Sequence, residues 1–322
     1  MTRTAFITGI TGQDGSYLTE FLLERGYHVC GLVWTGEAGT PACLSSLKDQ
    51  IDLYPGDLSD MASLRRALKA CQPHEIYNLA AQSSITLSWE KPLLTAEVTA
   101  MGPLRLLECM SQIVPRARFF QPSSSEVFGN PEQSPQTEET PFAPRNPYGW
   151  AKAFAHRMLK AYRQRHGLFV SLGLLYNHES PRRPETFVTR KITRAAARIK
   201  MRQEDQLIIG DISAVRDWGY ARDYVEAFWL MLQQPEPDDF VIASGQAHTV
   251  EEFCQAAFEV VGLNYRDYLT VDRSLYRPWE TRPLVGNPAK ARARLGWKPA
   301  LNFPDLVTLM VETDLKAVQG AG

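Results

Sequence analysis

Two side chains with complementary proton chemistry, Tyr148 and Lys152, are four residues apart after the dipeptide Asn146-Pro147. Asparagine as an N-cap followed by proline in the first turn predicts that a helix begins here, and residues at i and i+4 share one face of a helix. An ammonium beside a phenol favours the phenolate, so we expect a lowered pKa for Tyr148 and a role as general base. The same pair also occurs on solvated helix faces that have no function.

Three serines and a glutamate, Ser123 to Glu126, follow a strand predicted over residues 119–121. Open α/β sheets bind ligands at the carboxyl ends of their strands. A hydroxyl at this edge, such as that of Ser124, can orient a substrate oxygen, and the Glu126 carboxylate adds a second acid–base group. On position alone, a loop carboxylate that faces water is an equally good interpretation of Glu126.

A glycine pattern, G-x-x-G-x-x-G, runs from Gly9 to Gly15 between a strand predicted at residues 4–8 and a helix predicted at residues 15–25. Backbone N–H groups and the helix dipole at such a junction can hold a pyrophosphate, and glycines let the ligand approach the backbone. The pattern alone also fits an ordinary turn. Its place at the first strand–helix junction favours dinucleotide binding.

The elements that must position these groups alternate between short apolar strands and amphipathic helices, which predicts a parallel sheet covered on both faces. The further predicted elements are residues 27–33, 51–54, 61–71, 75–79, 93–113, 146–166 and 168–175. After Asn177 the alternation becomes irregular. Apolar pieces at residues 207–210 and 239–243 predict that the chain returns to the sheet at least once.

The bulk composition excludes several classes of protein. The chain has 322 residues, 44% of them hydrophobic, with 35 basic and 36 acidic residues, so it can bury a large core but shows no charge bias towards nucleic acid or an anionic membrane. Its five cysteines are scattered, which argues against disulfides and a metal site and indicates free thiols in a reducing cytoplasm. Gly9 and Gly12 interrupt the apolar N-terminal stretch, so we expect no signal peptide or membrane anchor.

Taken together, these motifs resemble the extended short-chain dehydrogenase/reductase superfamily and, over nearly the whole chain, the GDP-mannose 4,6-dehydratase family. The segments that carry the closer resemblance are GITGQDGSYL at 9–18, NHESPRR at 177–183 and FVTRK at 187–191. The resemblance implies an α/β fold: a Rossmann-like, doubly wound parallel sheet with a smaller, partly helical C-terminal substrate domain. Residues 1–176 would bind the dinucleotide, with a return around 217–244, and residues 177–322 would mainly bind the nucleotide sugar.

The resemblance also implies a hydro-lyase that converts GDP-mannose to GDP-4-keto-6-deoxymannose. Tyr148 would act as base on the 4-hydroxyl, with Lys152 and Ser124 in support, while hydride leaves C4 for the nicotinamide. Glu126 would then remove the C5 proton as water leaves C6, and the hydride would return to C6. The C5 proton is weakly acidic until C4 is a carbonyl, so an oxidising cofactor is needed although the reaction has no net redox change.

Contacts for both ligands follow from the same resemblance. The expected cofactor-binding residues are Gly9, Thr11, Gly12, Gln13, Asp14, Gly15, Asp57, Leu58, Leu79, Ala80, Ala81, Gln82, Ser83, Tyr148, Lys152, His178 and Arg183. The expected substrate-binding residues are Ser84, Asn177, Val188, Lys191, Arg216, Arg277 and Glu280. Arg216 and Arg277 match diphosphate contacts, because a guanidinium binds phosphate through two parallel hydrogen bonds. From the residues alone, either is equally a surface arginine.

The chain departs from the family pattern after the second strand. There the family carries arginines and serines that hold the 2′-phosphate of NADP, whereas this chain reads Val33-Trp34-Thr35-Gly36-Glu37. The resemblance favours NADP, and NAD is the close alternative, although no acidic residue ends the strand directly. The same loop builds tetramers in some relatives. Because its sequence departs from the family pattern here, we expect a homodimer, with a tetramer as the alternative.

Two further departures leave the sugar open. Pro184 replaces a glycine, and Thr281-Arg282 follows Glu280 where the family has Val-Asp, so a different GDP-hexose or heptose remains an alternative. Two other functions also fit. A nucleotide-sugar 4-epimerase or 4-reductase would use the same Ser124, Tyr148 and Lys152 without C5 deprotonation, and a dinucleotide-sensing protein would keep the fold without chemistry.

Overall fold

A computed structural model describes residues 2–34, 44–276 and 282–320. Its strands, in chain order, are β1 (Thr4–Thr8), β2 (His28–Val33), β3 (Ile51–Pro55), β4 (Glu75–Asn78), β5 (Arg118–Ser124), β6 (Val170–Leu175), β7 (Asn177–Glu179), β8 (Leu207–Ile209), β9 (Val215–Arg216), β10 (Trp218–Tyr220), β11 (Asp239–Ile242), β12 (His248–Thr249) and β13 (Leu269–Val271). Seven of these form the central sheet, in the order β11-β6-β5-β4-β1-β2-β3, and all neighbours are parallel. The order reverses between β1 and β4, the switch point beside which open α/β sheets bind ligands.

Helices cover both faces of this sheet. They are α1 (Gln13–Leu23), α2 (Met61–Cys71), α3 (Ile85–Glu90), α4 (Pro92–Thr95), α5 (Gly102–Ile113), α6 (Pro147–His166), α7 (Val188–Lys200), α8 (Ala221–Gln233), α9 (Val250–Val260), α10 (Ala289–Leu295) and α11 (Phe303–Gly320). A π-helical turn, Ala96–Met101, joins α4 to α5, and 3₁₀ turns occur at Lys48–Gln50, Ser125–Val127, Tyr265–Asp267 and Arg273–Leu275. In the part of the chain described here, no helix is long and apolar enough to cross a bilayer.

The described residues form four hydrophobic clusters, of which two lie on the two faces of the sheet and a third lies beyond it. One face packs against α1 and α8, with Leu18 and Phe228 fully buried. The other packs against α2, α5 and α6. The third cluster lies among α7, α9 and α11, where Ile192, Phe253 and Met310 are buried. Because α7, α9 and α11 pack against one another, these helices form a second layer beside the carboxyl edge of the sheet.

The α/β fold expected from the sequence is confirmed, including the parallel central sheet and the return of the chain to it at β11. Two expectations need correction. The strand predicted to end at Gln121 continues to Ser124, so Ser123 and Ser124 are strand residues. The piece at residues 207–210 does not join the central sheet, because β8 pairs with β13 in a two-stranded sheet of its own.

Candidate functional site

The first two turns of α6 carry two of the predicted catalytic residues, Tyr148 and Lys152. Asn146 caps this helix: its side-chain oxygen accepts a hydrogen bond from the Gly149 N–H at 2.7 Å, and Pro147 occupies the first helical position. This is the start that the sequence predicted, because proline has no N–H to leave unpaired there. The helix therefore begins at a fixed point beside the end of β5.

Glu126 lies in the 3₁₀ turn that follows β5, directly against this helix start. Its backbone N–H donates to Ser124 Oγ at 3.2 Å, and its carboxylate accepts from the side-chain amide of Asn146 at 2.8 Å. A Cβ built on Gly149 would lie only 2.7 Å from the Glu126 carbonyl oxygen, so only glycine lets the helix approach this closely. Ser124, Glu126 and Tyr148 thus converge, as the sequence predicted.

Tyr148 is hydrogen-bonded to Ser124, but its pKa differs from the prediction. Burial raises the pKa of Tyr148 to about 12, and the negative charges of Glu126 and Asp14 add to this, while the Ser124 hydrogen bond and the Arg183 charge lower it less. The expected lowering of the pKa of Tyr148 by Lys152 is therefore wrong. The physical reason is that low-dielectric surroundings disfavour the phenolate more than the neighbouring groups favour it.

Lys152 is buried and does not bond the phenol directly. Its Nζ donates to the Pro122 carbonyl at 2.9 Å and lies 5.8 Å from the centre of the Tyr148 ring. Burial lowers the pKa of Lys152 to about 8, with Asp14 opposing that shift. The ammonium is therefore oriented from the strand side of the cleft.

The glycine loop after β1 is shaped for a ligand that lies against backbone. Gly9 has a φ of +66°, and a Cβ on it would meet the Ala80 nitrogen at 2.7 Å, while a Cβ on Gly15 would meet the Gly9 oxygen at 2.2 Å. Thr8 Oγ1 accepts from the Ala80 N–H at 3.1 Å and so ties this loop to the end of β4. The loop and the first turn of α1 fit a pyrophosphate.

An ion pair closes one side of this loop. His178 Nε2 lies 2.8 Å from Asp14 Oδ2, which joins α1 to β7. Burial opposes the charging of both groups, but their mutual attraction and hydrogen bond outweigh it, so the pKa of Asp14 is lowered and that of His178 is raised. His178 is therefore the partner of a carboxylate that would otherwise face a bound anion.

One cleft of about 830 Å³ collects nearly all of the predicted residues. Its lining includes the four catalytic candidates, Ser124, Glu126, Tyr148 and Lys152, and every expected cofactor contact, namely Gly9, Thr11, Gly12, Gln13, Asp14, Gly15, Asp57, Leu58, Leu79, Ala80, Ala81, Gln82, Ser83, His178 and Arg183. Of the expected substrate contacts, Ser84, Asn177, Val188 and Arg216 also line it. The structure thus places the glycine loop and the four catalytic candidates in one cavity.

Three expected substrate contacts are not in this lining. Lys191 is exposed on α7 and lies outside the cleft. Arg277 and Glu280 fall outside the described residues. Sequence reasoning also missed two residues: Asn146 was assigned only as a helix cap, and Trp34 only as part of a loop without arginine, although the structure places it in the cleft wall. The position of Trp34 directly after β2 was the available signal.

A group of metal-ligating side chains lies elsewhere. Ligand atoms of His28, Cys30 and Asp52 are all within 4.8 Å of one another. His28 and Asp52 already bond each other at 2.9 Å, and none of the three lines the cleft. This group therefore has no part in the candidate site.

Comparison with known proteins agrees with the geometry. The family model described as GDP-mannose 4,6 dehydratase matches residues 6–310. GDP-mannose 4,6 dehydratase 1 of Arabidopsis thaliana is 49% identical over 98% of this chain and 90% of its own length, and the Homo sapiens GDP-mannose 4,6 dehydratase is 42% identical over 98% and 92%. Among solved structures, the UDP-glucose 4-epimerase of Thermus thermophilus in complex with NAD is similar, with a TM-score of 0.84, 28% identity and coverage of 97% and 98%. The matches span both the dinucleotide loop and the C-terminal layer, and the chain belongs to the GDP-mannose 4,6-dehydratase family.

Proposed function

We propose that this protein is a nucleotide-sugar 4,6-dehydratase that converts GDP-mannose to GDP-4-keto-6-deoxymannose. The observation that carries the proposal is the carboxylate of Glu126, fixed by Asn146 beside the Ser124–Tyr148 pair. A dehydration through a 4-ketone needs a separate base for the C5 proton, and no such base is needed for epimerisation or reduction at C4. Membership of the family supports the same assignment.

A nicotinamide dinucleotide fits the glycine loop and, when bound in its oxidised form, supplies the hydride acceptor and a positive charge that favours the phenolate of Tyr148. Tyr148 takes the proton of the sugar 4-hydroxyl, which Ser124 orients by hydrogen bonding. Lys152, held by the Pro122 carbonyl, stabilises the negative charge that develops on the phenol oxygen. Glu126 removes the C5 proton once C4 is a ketone and gives a proton to the C6 hydroxyl, which leaves as water. The proton that Tyr148 took from the 4-hydroxyl then balances the protonation of C5 as the hydride returns to C6.

In this proposal the dinucleotide and the GDP-sugar bind to different parts of the chain. We propose that residues 1–176, with the return around 217–244, bind the dinucleotide, and that residues 177–322 mainly bind the GDP-sugar. Support comes from the position of Asn177, Val188 and Arg216 on the side of the cleft facing the α7, α9 and α11 cluster. Arg216 is the described guanidinium expected to bind the diphosphate. Between NADP and NAD, the family resemblance favours NADP, while the side chains after β2 favour NAD.

The assembly we propose is a homodimer, with a tetramer as the alternative. A group of exposed large apolar side chains on α3, α4 and α6 supports it, because exposed apolar patches mark interaction sites. These residues are Trp89, Leu93, Leu94, Trp150 and Phe154. Trp150→Glu should convert the dimer to monomer in light scattering, and an unchanged mass would remove this face from the interface.

We also propose a cytoplasmic location, because the described cysteines Cys30, Cys71, Cys109 and Cys254 are free and buried.

The decisive experiment separates oxidation from elimination. Wild-type protein, Glu126→Gln and Tyr148→Phe are each incubated with GDP-mannose, and cofactor reduction and the 4-keto-6-deoxy product are followed in parallel. We expect Glu126→Gln to reduce the cofactor but form no product, because the elimination step is lost while the first proton transfer to Tyr148 remains. Tyr148→Phe should fail at both steps, since the first proton transfer is lost.

The alternatives predict different outcomes in the same assay. Unchanged product formation by Glu126→Gln would remove this residue from the mechanism. A C4 epimer or a 4-reduced sugar as the wild-type product would indicate the epimerase or reductase. Dinucleotide binding without turnover of any nucleotide sugar would indicate a sensor.

A further inference from the structure

The adenosine end of the cleft is formed by the loops after β2 and β3. Leu32, Trp34, Asp57 and Leu58 line it, and the Gly56 N–H donates to the Val33 carbonyl at 2.9 Å, which holds the two loops side by side. Trp34 lies about 20 residues after the glycine loop, the position at which doubly wound folds discriminate a ribose 2′-hydroxyl from a 2′-phosphate. The residue that makes this choice here is an uncharged indole.

The side chain of Trp34 is joined to the Asp57 carboxylate by a hydrogen bond. Trp34 is 58% exposed and lines the cleft. Ser59 donates to the same carboxylate from its N–H and its hydroxyl, both at 2.7 Å. Burial opposes ionisation of Asp57, but these hydrogen bonds and the charge of Arg105 outweigh it and lower its pKa. The wall therefore carries a fixed negative charge at neutral pH.

The sequence of the loop after β2 supplies no positive charge. The sequence has no lysine or arginine from Trp34 to Leu47, and it has an acid, Glu37. Arg105, whose charge reaches Asp57, is paired with Glu97 at 2.6 Å and is not part of the cleft lining. A 2′-phosphate here would approach a carboxylate without a bidentate cation to hold it, whereas a ribose hydroxyl would bring no charge.

We propose that this chain binds NAD(H) in preference to NADP(H), and that Trp34 and Asp57 set the preference. The inference rests on the proposed function, in which a nicotinamide dinucleotide occupies the cleft. It concerns the adenosine end alone and is independent of the chemistry at Glu126 and Tyr148.

Calorimetric titration of the purified protein with NAD⁺ and with NADP⁺, without sugar, tests the proposal. We expect NAD⁺ to bind at least about ten-fold more tightly, equivalent to about 1.4 kcal/mol. Trp34→Arg adds the missing guanidinium and should shift the affinity ratio towards NADP⁺ by at least about ten-fold. Asp57→Asn removes the carboxylate charge and should shift the ratio the same way.

Asp238→Asn is the matched control, because it removes a carboxylate that pairs with Lys290 and does not line the cleft, so its ratio should remain within about three-fold of wild type. Wild-type protein that binds NADP⁺ as tightly as NAD⁺ would overturn the inference, as would an unchanged ratio in Trp34→Arg and Asp57→Asn together. Binding of neither dinucleotide would instead overturn the proposed function. Mass spectrometry of the nucleotide released from freshly purified protein gives a second readout, with NAD as the expected species.

Discussion

The side-chain amide of Asn146 donates a hydrogen bond to the Glu126 carboxylate at 2.8 Å. The same side chain accepts the Gly149 N–H, so one residue fixes both the start of α6 and the orientation of the proposed C5 base. Tyr148 lies in the chain between Asn146 and Gly149. The single amide at the N-cap of α6 therefore links the positions of the two acid–base groups.

Asn146→Asp should move the pH dependence of dehydration. Aspartate caps a helix as well as asparagine does, but it replaces the amide donor with a second carboxylate beside Glu126. Like charges favour protonation of one partner, so the acidic limb of the kcat profile should shift to higher pH by about one unit or more. Asn146→Ser, which keeps a cap without adding charge, should shift it less, and identical profiles for the Asp variant and wild type would contradict the orientation role.

Gly149→Ala should disturb the catalytic group through sterics alone. The added Cβ would meet the Glu126 carbonyl oxygen at 2.7 Å, forcing α6 away from the turn after β5. We expect a loss of about 1–3 kcal/mol in the free energy of unfolding, as for other overpacked sites, and a fall in kcat of about ten-fold or more.

The other end of the same helix supplies the control. Gly167 has a φ of +63° with no atom within 4 Å of a built Cβ. Gly167→Ala should therefore cost about 1 kcal/mol of stability through backbone strain and leave kcat unchanged. Equal activity in the two alanine variants would show that the approach of Gly149 to Glu126 has no catalytic consequence.

Local patterns predicted the parts of the site that lie within one element. The Asn146-Pro147 start, the shared face of Tyr148 and Lys152 and the glycine loop all follow from spacing along a helix or turn. Contacts between distant segments did not: Asn146 reaches Glu126 across 20 residues of chain, and only the folded path of that loop brings them together.

Electrostatics and side-chain direction were also beyond the sequence. The pKa of Tyr148 depends on burial beneath the cleft walls, which spacing does not report, and this reversed the expected shift. Val188 and Lys191 are three residues apart in one family signature, yet only Val188 lines the cleft. The side on which α7 packs decides this, and its packing against α9 and α11 is a tertiary contact.

Lys152→Met should make the ligand-free protein more stable at neutral pH while abolishing activity. Burial lowers the pKa of Lys152 to about 8 from 10.5, so the native state holds a charged group at a cost below that pH. We expect a gain of up to about 2 kcal/mol in urea denaturation at about pH 7, reduced by loss of the Pro122 hydrogen bond. Between about pH 8 and pH 10 the unfolded chain binds the extra proton, so wild-type stability should rise and the difference should shrink. A less stable variant at both pH values would contradict the buried-ammonium cost.

Asp239→Asn should separate α6 from the edge of the sheet. Asp239 is buried on β11, and its carboxylate accepts hydrogen bonds from Lys160 at 2.7 Å and Arg163 at 2.9 Å. It also lies 3.6 Å from His156, and all three of these partners are on α6. Burial opposes its ionisation, but these partners outweigh it and lower its pKa, so its contribution is present above the unfolded value of about 4 and is lost as pH falls below it. We expect the amide to cost about 2 kcal/mol at neutral pH, because it removes the carboxylate partner of the largely buried Arg163, while Lys160 is nearly half exposed and contributes less. Asp238→Asn, whose carboxylate pairs with Lys290 at the surface, should cost less than about 1 kcal/mol. If chemical denaturation gave the two variants equal stability, or if the Asp239 deficit persisted unchanged at about pH 3, the ion cluster would not be what holds α6 to β11.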